Sequence, residues 1–172
     1  MNRRQFLKTA AITPIALILG AKFIATLRPY PLQELQTRLR AMQPDRLISL
    51  GSWNVSQIFQ HCAQSIRYSI YGYPEHYSAL FKNTAGKLAL NAFAAKGSMH
   101  HPLDEVIPGA PALQADVPND VALRELMYEL QQFINWQGEL AAHFAYGSLT
   151  KAQYYSAHYL HLQSHLQEIQ QV

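Results

Sequence analysis

A chain of 172 residues and 19.5 kDa allows one domain of ordinary size. With 49% hydrophobic and only 15% charged residues, its composition excludes a mainly disordered protein. The formal charge of +3 is misleading, because five of the fourteen basic residues (Arg3, Arg4, Lys8, Lys22 and Arg28) lie in the first 28 positions, where there is no Asp or Glu. From residue 29 onward nine basic residues face eleven acidic ones, a net of −2, so the body has no electrostatic reason to bind nucleic acid.

The chain starts with a basic stretch, Asn-Arg-Arg-Gln-Phe-Leu-Lys at residues 2–8, and continues into an apolar run from Thr9 to Ala21. This order is that of an export signal. Arg3 and Arg4, followed by Phe6, Leu7 and Lys8, resemble the bacterial twin-arginine signal. Residues 1–28 are therefore expected to be a signal, with a retained membrane anchor through residues 9–27 as the alternative, and residues 29–172 to be the folded domain. The thirteen-residue run is shorter than the roughly 20 that span a bilayer comfortably. No Cys stands directly after it, which excludes lipoprotein anchoring. The expected partner is the twin-arginine export machinery, and the expected location is the periplasm or the outer face of the inner membrane. The single cysteine, Cys62, forms no internal disulfide and reads as a small core hydrophobe.

The body reads as all-α, since no segment shows sustained period-two alternation. Five helices are expected. The first runs over Pro31–Met42, with Leu32, Leu35 and Leu39 on one face, and the second over Ser52–Tyr71 with Ser52 as N-cap. The third covers Ser78–Ala95 and stops at Gly97. The fourth extends from Asn119-Asp120 to Trp136, and the last from Lys151, capped by Thr150, to the C-terminus. The later four are expected to form a four-helix bundle, with short connections favouring antiparallel neighbours. Between the third and fourth lies a stretch without periodicity, Gly97 to Asp120, which holds four of the nine prolines. A loop of this length is uncommon in a compact domain, and it is expected to be either a lid or an extended strap across the helices.

Three of the eight histidines are placed to share a ligand. His161 and His165, spaced i, i+4, project from one face of the last helix. At about 100° per residue, with His161 at zero, Tyr154, His165 and His158 fall at roughly 20°, 40° and 60°, at the edge of the apolar stripe. His61 likewise borders the apolar arc of the second helix. Two neutral imidazoles at i, i+4 chelate one divalent ion, and a third from a facing helix completes a set with open positions, the layout of a catalytic zinc or nickel site. By spacing alone, hydrogen-bonded core histidines are the more ordinary reading of the same rings.

Four strings carry a family resemblance. They are Trp53 with Ile58-Phe59-Gln60-His61-Cys62-Ala63-Gln64-Ser65-Ile66, then Ile107-Pro108-Gly109-Ala110-Pro111, then His143-Phe144-Ala145-Tyr146-Gly147-Ser148-Leu149, and finally Ala157-His158-Tyr159-Leu160-His161-Leu162. Together they resemble an exported bacterial family of unknown function within the DinB-like/YfiT-like superfamily. The resemblance implies a four-helix bundle with a divalent-metal site formed by His61, His161 and His165. It also implies a metal-dependent hydrolase or a transferase acting on low-molecular-weight thiols, with an unknown small molecule as substrate. The non-enzymatic alternative is an envelope protein that works structurally or through partners.

Around this set, His158 is a candidate fourth ligand or, more ordinarily, a packed partner behind the ligands. His143 is a candidate to fix its loop against the bundle or to act as a general base, and Tyr154 is a structural residue or one that orients substrate beside the ion. Tyr146 reads as structural. Asp104 and Glu105, beside His100-His101-Pro102 in the long loop, are candidates for acid–base work but more ordinary as solvated carboxylates. No nucleophile–base dyad and no phosphate loop is visible, so no catalytic residue is assigned.

Overall fold

The computed structural model describes residues 30–172, and the structure is mostly helical with one small sheet. The signal motif with Arg3 and Arg4 and the apolar segment 9–27 lie outside the described residues. Among the described residues no helix is long and apolar enough to cross a membrane.

Helix α1 spans Leu32–Arg40 and presents Leu32, Leu35 and Leu39 to the interior. A 3₁₀ turn at Pro44–Arg46 leads into strand β1, Leu47–Ser49. Helix α2, Val55–Tyr71, is capped by Asn54 rather than by the expected Ser52: the Asn54 side chain accepts from the Gln57 amide, and the Gln57 side chain accepts from the Asn54 amide. This reciprocal box satisfies two of the amides that the first helical turn leaves open, which a serine two residues earlier cannot reach.

The expected third helix is present but not regular. Ser78 caps a single turn, α3 (Ala79–Phe81), a π-helical segment follows at Lys82–Gly86, and α4 (Lys87–Lys96) completes it before Gly97, in the left-handed region at φ 78°, closes it. At Gly86 a Cβ would lie 2.0 Å from the carbonyl oxygen of Ala145, so only glycine permits this close approach. Helix α5 is Asn119–Asn135 and α6 is Lys151–Leu166, the latter opened by a second capping box between Thr150 and Gln153.

Helix α6 does not run to the C-terminus as expected. It stops at Leu166, and Ile169–Gln171 form strand β2, antiparallel to β1, with Leu47 opposite Gln171 and Ser49 opposite Ile169. These strands, absent from the periodicity reading, are only three residues each, too short to show alternation. Their main-chain groups satisfy one another where two helix-flanking segments meet.

The main core is built from α1, α2, α5 and α6, with Ile58, Phe59, Ile66, Leu126, Leu130, Phe133 and Leu162 all fully buried. The 79–96 helix, expected among the principal four, instead packs on the other side of α6. There Phe93 packs against a smaller cluster of Tyr30, Met99 and Leu160. Its alternation of Leu, Ala and Lys carries a weak apolar face, whereas α1 offers three aligned leucines; burial area decides which helix enters the core. Cys62 lies in that core, and burial raises its thiol pKa, leaving it inert.

The long loop is an extended strap. Gln60 and Gln114 bond reciprocally (2.8 and 2.9 Å), Gln64 donates to Pro111 O at 3.1 Å, and Asn54 donates to Ala115 O at 2.9 Å. Three polar residues on the outer side of α2 thus hold its second half.

Candidate metal centre

Because α2 and α6 face each other across the core, the edge positions noted in the sequence meet. His61 Nε2 lies 3.1 Å from His161 Nε2, which lies 3.2 Å from His165 Nε2. The three rings offer ligand atoms all within 4.8 Å of one another. His61 and His165 are buried and His161 is half-buried. Trp53, just ahead of α2, closes one side, stacked on His165 at 10° and tilted against His61.

The donor set fits a divalent ion. Bonds of 2.0–2.1 Å place neighbouring nitrogens about 2.9 Å apart at a right angle and about 3.4 Å apart at the tetrahedral angle, a range that brackets both short contacts. Hydrogen bonding explains the cluster less well. A neutral ring nitrogen carries either one hydrogen or one lone pair. His161 Nε2 faces two other Nε2 atoms, and His165 Nε2 faces a second neighbour besides His161, His101 Nε2 at 3.3 Å. Neither middle nitrogen can satisfy both of its neighbours. The Nδ1 atoms of His61, His101, His161 and His165 are buried without a hydrogen-bond partner among the described residues. Thus these rings are not the main-chain-bonded core histidines of the alternative reading.

Burial sets their charge. It pushes His61 down to about 4, with the neighbouring His101 adding to the shift, and it pushes His165 down to about 2, with His61 and His101 contributing. His161 is held well below the usual range by burial and then by the surrounding imidazoles. Neutral rings keep their lone pairs at pH 7, the state a metal requires.

The other candidates stand apart from the cluster. His158 Nε2 is 3.1 Å from Ser69 Oγ; because the Ser69 hydroxyl donates to Ile66 O at 2.6 Å, its oxygen accepts from His158, and Nε2 carries the hydrogen. This ring stacks on Tyr154 and meets Phe133 edge-on, and burial lowers its pKa to about 3. His143 Nδ1 accepts from the amides of Ala145 and Tyr146, and its ring stacks on Tyr146 at 4.3 Å, so it shapes the 143–147 turn. The Tyr154 hydroxyl donates to Ala141 O at 2.8 Å. Asp104 and Glu105 are exposed, with Glu105 3.4 Å from the Tyr77 hydroxyl.

A cavity of about 230 Å³ opens beside the cluster, bounded by His61, His101 and His161 and by apolar groups such as Phe81, Ile107 and Phe144; His143 and His158 also reach its wall. A larger groove of about 840 Å³ between α4 and the start of α6 holds no His, Cys or carboxylate. His101 is the residue that sequence reasoning missed. It sits in an aperiodic loop, and its only signal was the His100-His101 pair in a segment too long to be a plain connection.

The chain belongs to the family described as protein of unknown function (DUF1569), which it matches over residues 25–172. No curated protein and no solved structure matches it.

Proposed function

We propose that the protein is a divalent-metal-dependent hydrolase of the DinB-like, four-helix-bundle type. His61, His161 and His165 hold a zinc or nickel ion, and the protein works in the cell envelope after export through its Arg3-Arg4 signal. The convergence of three Nε2 atoms that hydrogen bonding does not satisfy carries this proposal. When bound, such an ion supplies Lewis acidity and acidifies water at neutral pH.

The chain's own groups do the rest. Two rings from α6 and one from α2 present their lone pairs from one side, leaving the side towards the cavity for a small substrate. Trp53 shields the rings from solvent, and the apolar wall favours a substrate with a hydrophobic body. The resemblance of the His61 and His161–His165 strings to the superfamily supports the bundle assignment, and the Arg3-Arg4 motif supports export.

Elemental analysis of untagged protein tests the site. One equivalent of metal is expected in the wild type and none in His161→Ala, with helical circular dichroism retained in both. Metal-free wild-type protein would overturn the metalloenzyme and leave a structural or interaction role.

A further inference from the structure

The strap is anchored on both sides of its inward-facing histidine. Ahead of it, Met99 is buried and its carbonyl accepts from Ser164 Oγ at 3.2 Å. Behind it, Ile107 is buried, and the bonds from Gln64, Gln60 and Asn54 hold the following residues. Between these anchors His100, Pro102, Asp104, Glu105 and Val106 are exposed. Among the described residues the Glu105–Tyr77 contact, at 3.4 Å, is the one side-chain hydrogen bond of this stretch beyond His101 itself. His101 alone turns towards the cluster. Its ring lies 5.1 Å from that of His161, its Nε2 is 3.3 Å from His165 Nε2, and its Nδ1 has no partner among the described residues.

We infer that His101 is a fourth, exchangeable ligand, which ties residues 100–106 of the strap down over the metal centre when no substrate is present. The inference rests on the three-histidine site proposed above. His101 lies outside the set whose ligand atoms are all within 4.8 Å of one another, although its Nε2 is 3.3 Å from that of His165, so it joins or leaves the ion by a turn of its own side chain. It also forms part of the cavity wall together with His61 and His161, so a small molecule in the cavity lies beside the bond that His101 would give up. In the exchange one Nε2–metal bond breaks as one bond from the entering donor atom forms. His101 leaves as a neutral imidazole, and no proton need be transferred. Three ligands from helices would fix the ion, while the fourth, from a segment anchored at its ends and otherwise bonded only through Glu105, would couple the ion to the strap.

Zinc binding measured by competition with a chromophoric chelator tests this, using wild type, His101→Ala, His101→Gln and, as a neighbouring control, His100→Ala. All four proteins are expected to take one equivalent. The two His101 variants should bind it at least about tenfold more weakly and His100→Ala as the wild type does. X-ray absorption should count four imidazoles in the wild type and three in the variants. Zinc should slow hydrogen exchange at residues 100–106 in the wild type but not in His101→Ala. Equal affinities, or three imidazoles in the wild type, would overturn the role of His101 while leaving the three-histidine site intact. A wild type that binds no zinc would remove that site and this inference together.

Discussion

At the scale of single residues, neighbouring histidines on one helix have opposite chemistry because their partners differ. His158 and His161 are both on α6, one turn apart, yet His158 has a hydroxyl acceptor in Ser69, whereas His161 has only other imidazoles around its Nε2. The hydrogen on His158 Nε2 removes the lone pair a metal would need. His158→Ala is therefore expected to leave metal stoichiometry unchanged. It should lower the unfolding free energy by about 2–4 kcal/mol, through the lost packing against Phe133 and Tyr154 and the unsatisfied Ser69 oxygen. Denaturant titration with elemental analysis checks both parts. Loss of metal in this variant would place His158 among the ligands.

At the scale of elements, two helices that carry the cluster begin with the same device but differ in what the cap touches next. Asn54 and Thr150 each form a reciprocal box with a glutamine three residues on. Asn54 also donates to Ala115 O, joining the start of α2 to the strap. Thr150→Ala should cost about 1 kcal/mol of stability. Asn54→Ala should cost about 0.5–1 kcal/mol more, because it also releases the strap bond. Chemical denaturation of the two variants compares them directly, and equal losses would mean that the strap bond contributes nothing. The irregular third helix has a comparable local logic: its π segment brings Gly86 against the 143–147 turn, whose geometry His143 sets.

Across the whole molecule, the buried histidines make the metal-free protein sensitive to acid. Burial lowers the pKa values of His61, His101, His143, His158, His161 and His165 in the folded state. Once unfolded, each returns to about 6.5, so between 6.5 and its folded value the unfolded chain binds more protons and stability falls as pH falls. For His61, His158 and His165, held at about 4, about 3 and about 2, the loss between pH 6.5 and 5 is about 2 kcal/mol each. Unfolding free energies in chelator should thus be nearly level from pH 8 to 7 and decline steeply below 6.5. A flat profile down to pH 5 would mean that these rings are solvated and ordinary. An ion held by these rings is expected to follow the folded values instead, with protons competing for His61 near pH 4 rather than at the pH 6.5 of a free imidazole.

Local chemistry was legible in the sequence: the helical period of the body, the Thr150 cap, the stop at Gly97, and the placing of His61, His161 and His165 at the edges of apolar stripes. Each depends on residues within one or two turns, where spacing along the chain is spacing in space. Relations between distant segments were not legible. The exchange of the 79–96 helix for α1 in the core was decided by competing buried areas, which no single helix reveals. The β1–β2 pairing joins residues more than a hundred positions apart, in strands too short to announce themselves. His158 and His161 looked alike until Ser69, on another helix, supplied one of them with an acceptor. His101, in a loop without period, acquired its meaning only when the strap folded back to set its ring beside His165. Side-chain chemistry is written locally, but a partner for a buried polar atom is found only once the chain has closed on itself.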